Sequence, residues 1–439
     1  MAALCVLLLV AAILYKLGFA SVTGDTMNPR HDSGCIYCGS QGSFSDEHVV
    51  CAGLGGDDNA WLLTDCVCRV CNTDIFSKLE TKFLRASPAA IARLFLQPRT
   101  RNQGSKTGTP SVQSNLSFVP DPGSGVLLEG LLEAGGQTRV LPQLLVVDAG
   151  QAATTGPDAG SLQTFLSEMR AAISGDVNLI EKKREGFEVG YEVTSLSWRE
   201  DAYAPTQTVT SAKPPKTGIW IEPLAVPATV GEGTKLLPRI FRLPAGQLVC
   251  RVNDVGQAAT FLTVVRQVPE LTDNGKIDMT AMATGKPGIH QQYQFDIAAY
   301  DRVLTKIGLN LVAKLLGVPF IRSPAFDSAV AYARDGAGCV YKYPPDRAVQ
   351  FANALGPPLA ERHVLALMEG PGPNGGHSLV FMARLYGGPM EGIRLAEFKT
   401  PIPGLERPIL VHVDYVNHKI ERLTLEEHAV RLDAAGVRV

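Results

Sequence analysis

The sequence predicts an α+β protein in which a small cysteine-rich module precedes a larger mixed, strand-rich α+β region. Three observations predict it. Two Cys-x2-Cys pairs, Cys35/Cys38 and Cys68/Cys71, bracket a glycine-containing loop. Short β-branched and apolar runs, punctuated by Gly, Pro and Asp, fill residues 116–285. A long helical pattern and then alternating strand-like text fill residues 286–439.

A chain of 439 residues exceeds one ordinary core and fits two or three domains. The formal net charge is −2, so the protein is not basic overall and affinity for a polyanion must come from a local patch. Seven of the nine cysteines lie before residue 72. The odd total and the clustering argue against a secreted disulfide framework and for a metal site in a reducing compartment, hence the cytoplasm. Ala2 to Tyr15 is an apolar run ended by Lys16. It is shorter than the roughly 20 residues of a membrane span, and no positive charge precedes it as in an export signal. Residues 1–26 therefore read as a weak anchor, an export signal or an extension upstream of a true start at Met27. Anchoring through residues 2–15 is the alternative to the cytoplasm; otherwise no stable membrane association is expected.

Residues 27–98 form the cysteine module and its helices. In "DIFSKLETKFL", Ile75, Phe76, Leu79, Phe83 and Leu84 follow helical spacing. Ser87-Pro88 reads as the start of a second helix, with Pro88 at its first position. Residues 99–115 are polar and rich in small residues, a linker. Strands follow over 116–285. In 286–439, Ala299, Val303, Ile307, Leu311 and Leu315 make one helical stripe, with Gly317 as its cap. Residues 361–425 read as an antiparallel meander. Six histidines, from His290 to His428, show no metal-ligand spacing.

Two residues between cysteines let both thiolates reach one ion, and two such knuckles complete a tetrahedral sulfur shell that suits zinc. A closed four-thiolate shell makes that zinc structural. Cys66 competes as a ligand, but Cys68 and Cys71 repeat the spacing of the first pair. Between the knuckles lie Glu47-His48 and then Gly55-Gly56; Asn72 follows the last cysteine directly. Cys51 reads as a small buried thiol.

This order resembles the HNH endonuclease family, whose ββα-metal, treble-clef-like frame runs Cys-x2-Cys, [Asp/Glu]-His, Gly-Gly, Cys-x2-Cys-[His/Asn]. "CNTDIFSKLE" is similar to a bacterial and phage subgroup, and "RVLTKIGLNLVAKLLG" resembles helices that follow such modules. The resemblance implies a metal-dependent endonuclease hydrolysing phosphodiester bonds in DNA at a single-metal site. It makes His48 the general base, and Glu47 and Asn72 the ligands of a catalytic Mg²⁺ or Mn²⁺. The chain departs from the family where a central Asn usually orients the histidine: Leu63 and Thr64 stand there. A backbone carbonyl or Asp65 is then expected to orient His48. Asp57-Asp58 reads as a solvated turn, and Asp74 and Glu80 as exposed helix carboxylates, with replacing or assisting a metal ligand as the alternative. Lys78, Lys82 and Arg85, followed by Arg93, Arg99, Arg101 and Lys106, form a basic stretch suited to nucleic-acid backbone contacts. A zinc-dependent nucleic-acid-binding protein without catalysis is the alternative. Protein partners are not legible.

Overall fold

The computed structural model describes residues 33–100, 110–121, 123–148, 151–185, 188–225, 234–268 and 289–436. The apolar leader at 1–26 and the centre of the 99–115 linker lie outside the described residues. Among the described residues no helix is long and apolar enough to cross a membrane.

The architecture is mixed α+β. Strands β1 (Glu47–His48) and β2 (Leu62–Leu63) pair antiparallel, with Glu47 opposite Leu63 and His48 opposite Leu62. A π-helical turn, Val70–Phe76, carries Cys71 and Asn72 and runs into α1 (Ser77–Arg85). Helix α2 (Pro88–Leu96) starts at Ser87-Pro88, as its sequence predicts. The chain then leaves for the strand-rich region through the strand Ser114–Pro120 and returns through His290–Tyr293. These two strands pair with each other. The linker is thus shorter than expected, because its last residues already belong to a ladder. Both ends of the excursion are fastened at one place: Gln113 N donates to Arg85 O and Asp296 N to Ala86 O, both at 2.7 Å.

The strand-rich region is built on an eight-stranded mixed sheet flanked by α3 (Ala159–Ala172) and α4 (Ala258–Gln267). It has cores of its own, one of them around Leu144, Phe165, Ile240, Cys250 and Leu262. A different core runs through the cysteine module, α5 (Ile297–Leu315) and the C-terminal six-stranded sheet.

Asp296 caps α5 by accepting from Ala299 N at 2.8 Å. The expected single apolar stripe is too narrow a description: every residue from Val303 to Ala313 is buried. One side of α5 faces the cysteine module and the other faces the sheet, so no side is left for solvent. Gly308 permits the sheet contact, since a Cβ there would lie 2.8 Å from Cγ of Phe381. The C-terminal strands are antiparallel as expected, but they are not a simple meander. Arg362–Pro371, His377–Arg384 and Met390–Phe398 follow in order, and Ile409–Asp414 then crosses over to pair with Arg362–Pro371. Alternation sends Leu365, Leu367 and Phe381 toward α5, and Val364, Ala366 and Val380 toward the helix Pro345–Leu355.

Candidate metal centre and histidine site

The four knuckle cysteines converge. The Sγ atoms of Cys35, Cys38, Cys68 and Cys71 all lie within 4.8 Å of one another, and those of Cys38 and Cys68 are 3.5 Å apart. A tetrahedral Zn–S distance of about 2.3 Å sets an S···S edge of about 3.8 Å, so the cluster can hold a metal ion such as zinc. Backbone N–H groups support the sulfurs: Cys68 N donates to Cys35 Sγ at 3.3 Å and Cys71 N to Cys68 Sγ at 3.5 Å. The hydrogen bond with Cys71 is the main cause that draws the Cys35 thiol down to about 4. Cys66 is not part of the cluster. Burial pushes its thiol up to about 11, while its carbonyl accepts from Ile36 N at 2.9 Å. Cys51 is fully buried, as expected.

Successive residues of a strand face opposite ways, and β1 shows the consequence. Glu47 points inward and its side chain is 3% exposed; His48 points outward at 25%. The His48 ring is bonded through Nε2 to Asp58 Oδ1 at 2.8 Å. Asp58, expected in a solvated turn, is thus the residue that orients His48; Asp65 sits instead in a left-handed turn at φ 57°. The intervening loop is built for this return. Gly55 has φ 93°, and a Cβ there would lie 2.5 Å from Tyr415 Cα; one on Gly56 would lie 2.3 Å from the Val50 carbonyl oxygen. Asp57 Oδ1 then accepts from Asn59 N and Ala60 N at 2.8 and 2.9 Å, fixing the turn that presents Asp58.

Behind β1 lies α5. Residues 306, 310 and 314 share one helix face by their i, i+4, i+8 spacing. Lys306, 1% exposed, pairs with the carboxylates of both Glu47 and Glu80. Asn310 donates to the His48 carbonyl at 3.0 Å and to Glu47 Oε1 at 3.3 Å, and it accepts from the Tyr37 hydroxyl at 2.5 Å. Lys314 Nζ donates to the carbonyl of Leu62, the cross-strand neighbour of His48, at 3.2 Å. Burial opposes charge on Lys306, but Glu47 and Glu80 outweigh it and hold the ammonium above the ordinary lysine range. Burial likewise raises the Glu47 carboxyl, and Lys306 only partly offsets this because it is shared with Glu80. One ammonium facing two carboxylates keeps its proton.

The structure does not leave Glu47 as an open ligand. Glu47 is engaged by Lys306 and Asn310. Asn72 spends its amide nitrogen on Ser45 Oγ (3.0 Å) and the Asp46 carbonyl (2.8 Å), bracing the chain just ahead of β1. As arranged, Glu47 does not fit a ligand for a divalent ion. Lys78, Lys82 and Arg85 are exposed along α1, with Lys82 3.7 Å from Asp296. Arg93, counted in the basic stretch, is buried and donates to Gly53 O and Gln97 Oε1, both at 3.2 Å. Asp58, Lys306 and Asn310 carried no assigned role from sequence. The legible sign of the last two was a Lys and an Asn four residues apart inside an apolar helix, where a polar group must find a partner. No family model, curated protein or solved structure matches the chain.

Proposed function

We propose that the protein is an endonuclease that hydrolyses phosphodiester bonds in DNA, with His48 as general base. The observation that carries this reading is the 2.8 Å bond between His48 Nε2 and Asp58, on a part-exposed strand end between two cysteine knuckles. With Asp58 on Nε2, Nδ1 is the nitrogen left to take a proton from an attacking water. The carboxylate steadies the imidazolium that results. Two knuckles, a two-strand hairpin and a following helix support a ββα-metal module of the HNH type, with zinc as its structural staple. Lys78, Lys82 and Arg85 supply phosphate-backbone contacts beside it. A catalytic Mg²⁺ or Mn²⁺ would need oxygen donors other than Glu47, so no step is assigned to it.

The pairing of Glu47 with Lys306 favours a second reading, a zinc-dependent nucleic-acid-binding protein without catalysis. Supercoiled plasmid incubated with the full chain, with and without Mg²⁺ or Mn²⁺, separates the two. Nicking supports the nuclease; retardation of the plasmid without nicking, by folded and metal-loaded protein, supports the binder.

A further inference from the structure

Helix α5 reaches the His48 strand from the far side of the strand-rich region, and it brings two polar side chains that are almost wholly buried, Lys306 and Asn310. Their bonds are not spread over the module. Lys306 grips Glu47, and Asn310 grips both Glu47 and the His48 carbonyl, so together they hold the two residues of β1 from behind. Asn310 also ties this point to Tyr37, inside the first knuckle. Glu80, on α1, closes the network from the other side. Lys306 and Asn310 take charge and hydrogen-bonding capacity that Glu47 would otherwise offer to an ion.

We infer that Lys306 and Asn310 are positioning residues for His48, and that Glu47 is the anchor they grip rather than a ligand for a divalent ion. The positioning role rests on the nuclease reading; the statement about Glu47 does not. The ammonium beside Glu47 offsets part of the charge that a divalent cation would otherwise offset, and a cation at Glu47 would leave the buried lysine with Glu80 alone. The hydrogen bond from Asn310 to the His48 carbonyl fixes the backbone from which the imidazole projects toward Asp58. A small displacement of a base can cost a large factor in rate without weakening substrate binding.

The test uses the full chain with its metal cluster loaded. Mn²⁺ binding is titrated by the electron paramagnetic resonance signal of the free ion, in wild type and in Glu47→Gln. We expect the same Mn²⁺ binding in both, including none in either; a tenfold or greater loss confined to Glu47→Gln overturns the assignment of Glu47. Lys306→Met is expected to lower the melting temperature, and the double variant Lys306→Met/Glu47→Gln to recover part of that loss, since it leaves fewer unpaired charges. A double variant no more stable than Lys306→Met contradicts the anchor role. Asn310→Ala is expected to lower kcat for nicking about tenfold with KM unchanged, and to move the NMR signals of His48, whose backbone it holds. Unchanged kcat and unmoved His48 signals together overturn the positioning role. If wild type does not nick, the nuclease reading fails by itself. The Mn²⁺ titration, the melting temperatures and the His48 signals still decide this inference.

Discussion

Lys306 and Glu47 form an ion pair in which neither side chain is more than 3% exposed, and a second carboxylate, Glu80, meets the same ammonium. The pair joins the hairpin to α5 across the strand-rich excursion. Breaking such a pair from one side costs about 3–5 kcal/mol, because the remaining charge stays buried. The pair adds to the apolar core that the helix and the cysteine module share.

The metal cluster gives the first prediction. Cys38→Ser and Cys71→Ser should each abolish stoichiometric zinc binding, and Cys66→Ser should preserve it. Structural zinc contributes about 10 kcal/mol or more to a small module. Loss of zinc should therefore melt residues around the knuckles, seen as lost hydrogen-exchange protection there by mass spectrometry. Zinc retained in Cys71→Ser and lost in Cys66→Ser would reassign the ligands.

Asp58 gives the second. Asp58→Asn keeps the loop but removes the charge that, in the proposed reaction, steadies the His48 imidazolium. Nicking should fall about tenfold, less than the ~10⁴ of a buried triad carboxylate, because Asp58 is 44% exposed and water can substitute. Zinc content and melting temperature should not change. A variant as fast as wild type would remove Asp58 from the mechanism.

How much of this was legible in the sequence differs from residue to residue. The knuckles were, because Cys-x2-Cys spacing encodes its own geometry. Ser87-Pro88 as a helix start was, because capping is local. The crossing of Ile409–Asp414 to the strand Arg362–Pro371 was not, since alternation fixes the face of a strand but not its neighbour. His48 could be singled out by its neighbours in the chain. Its orientation could not, because Asp58 acts through a folded turn and Asn310 arrives from 262 residues away.

Acid stability gives the third prediction. Burial draws His363 down to about 3 and His412 to about 4, from an unfolded value near 6.5. Both are neutral in the native protein at pH 7 and mostly neutral in the unfolded chain, so they take little from stability there. As pH falls below about 6.5 the unfolded imidazoles bind protons that the native ones refuse. Each then lowers stability by about 1.4 kcal/mol per pH unit until its native pKa is reached. Melting temperatures should fall from pH 6.5 to 4, and NMR should find both rings neutral at pH 5. Titration of either ring near 6.5 in the folded protein would contradict this.

In the proposed reaction His48 takes the proton from the attacking water, and one comparison decides it. Wild type and His48→Ala, matched for zinc content, are followed converting supercoiled plasmid to open circles under the same metal conditions. Wild type should nick, and the variant should be slower by about 100-fold or more. Equal nicking rates in the two would contradict it.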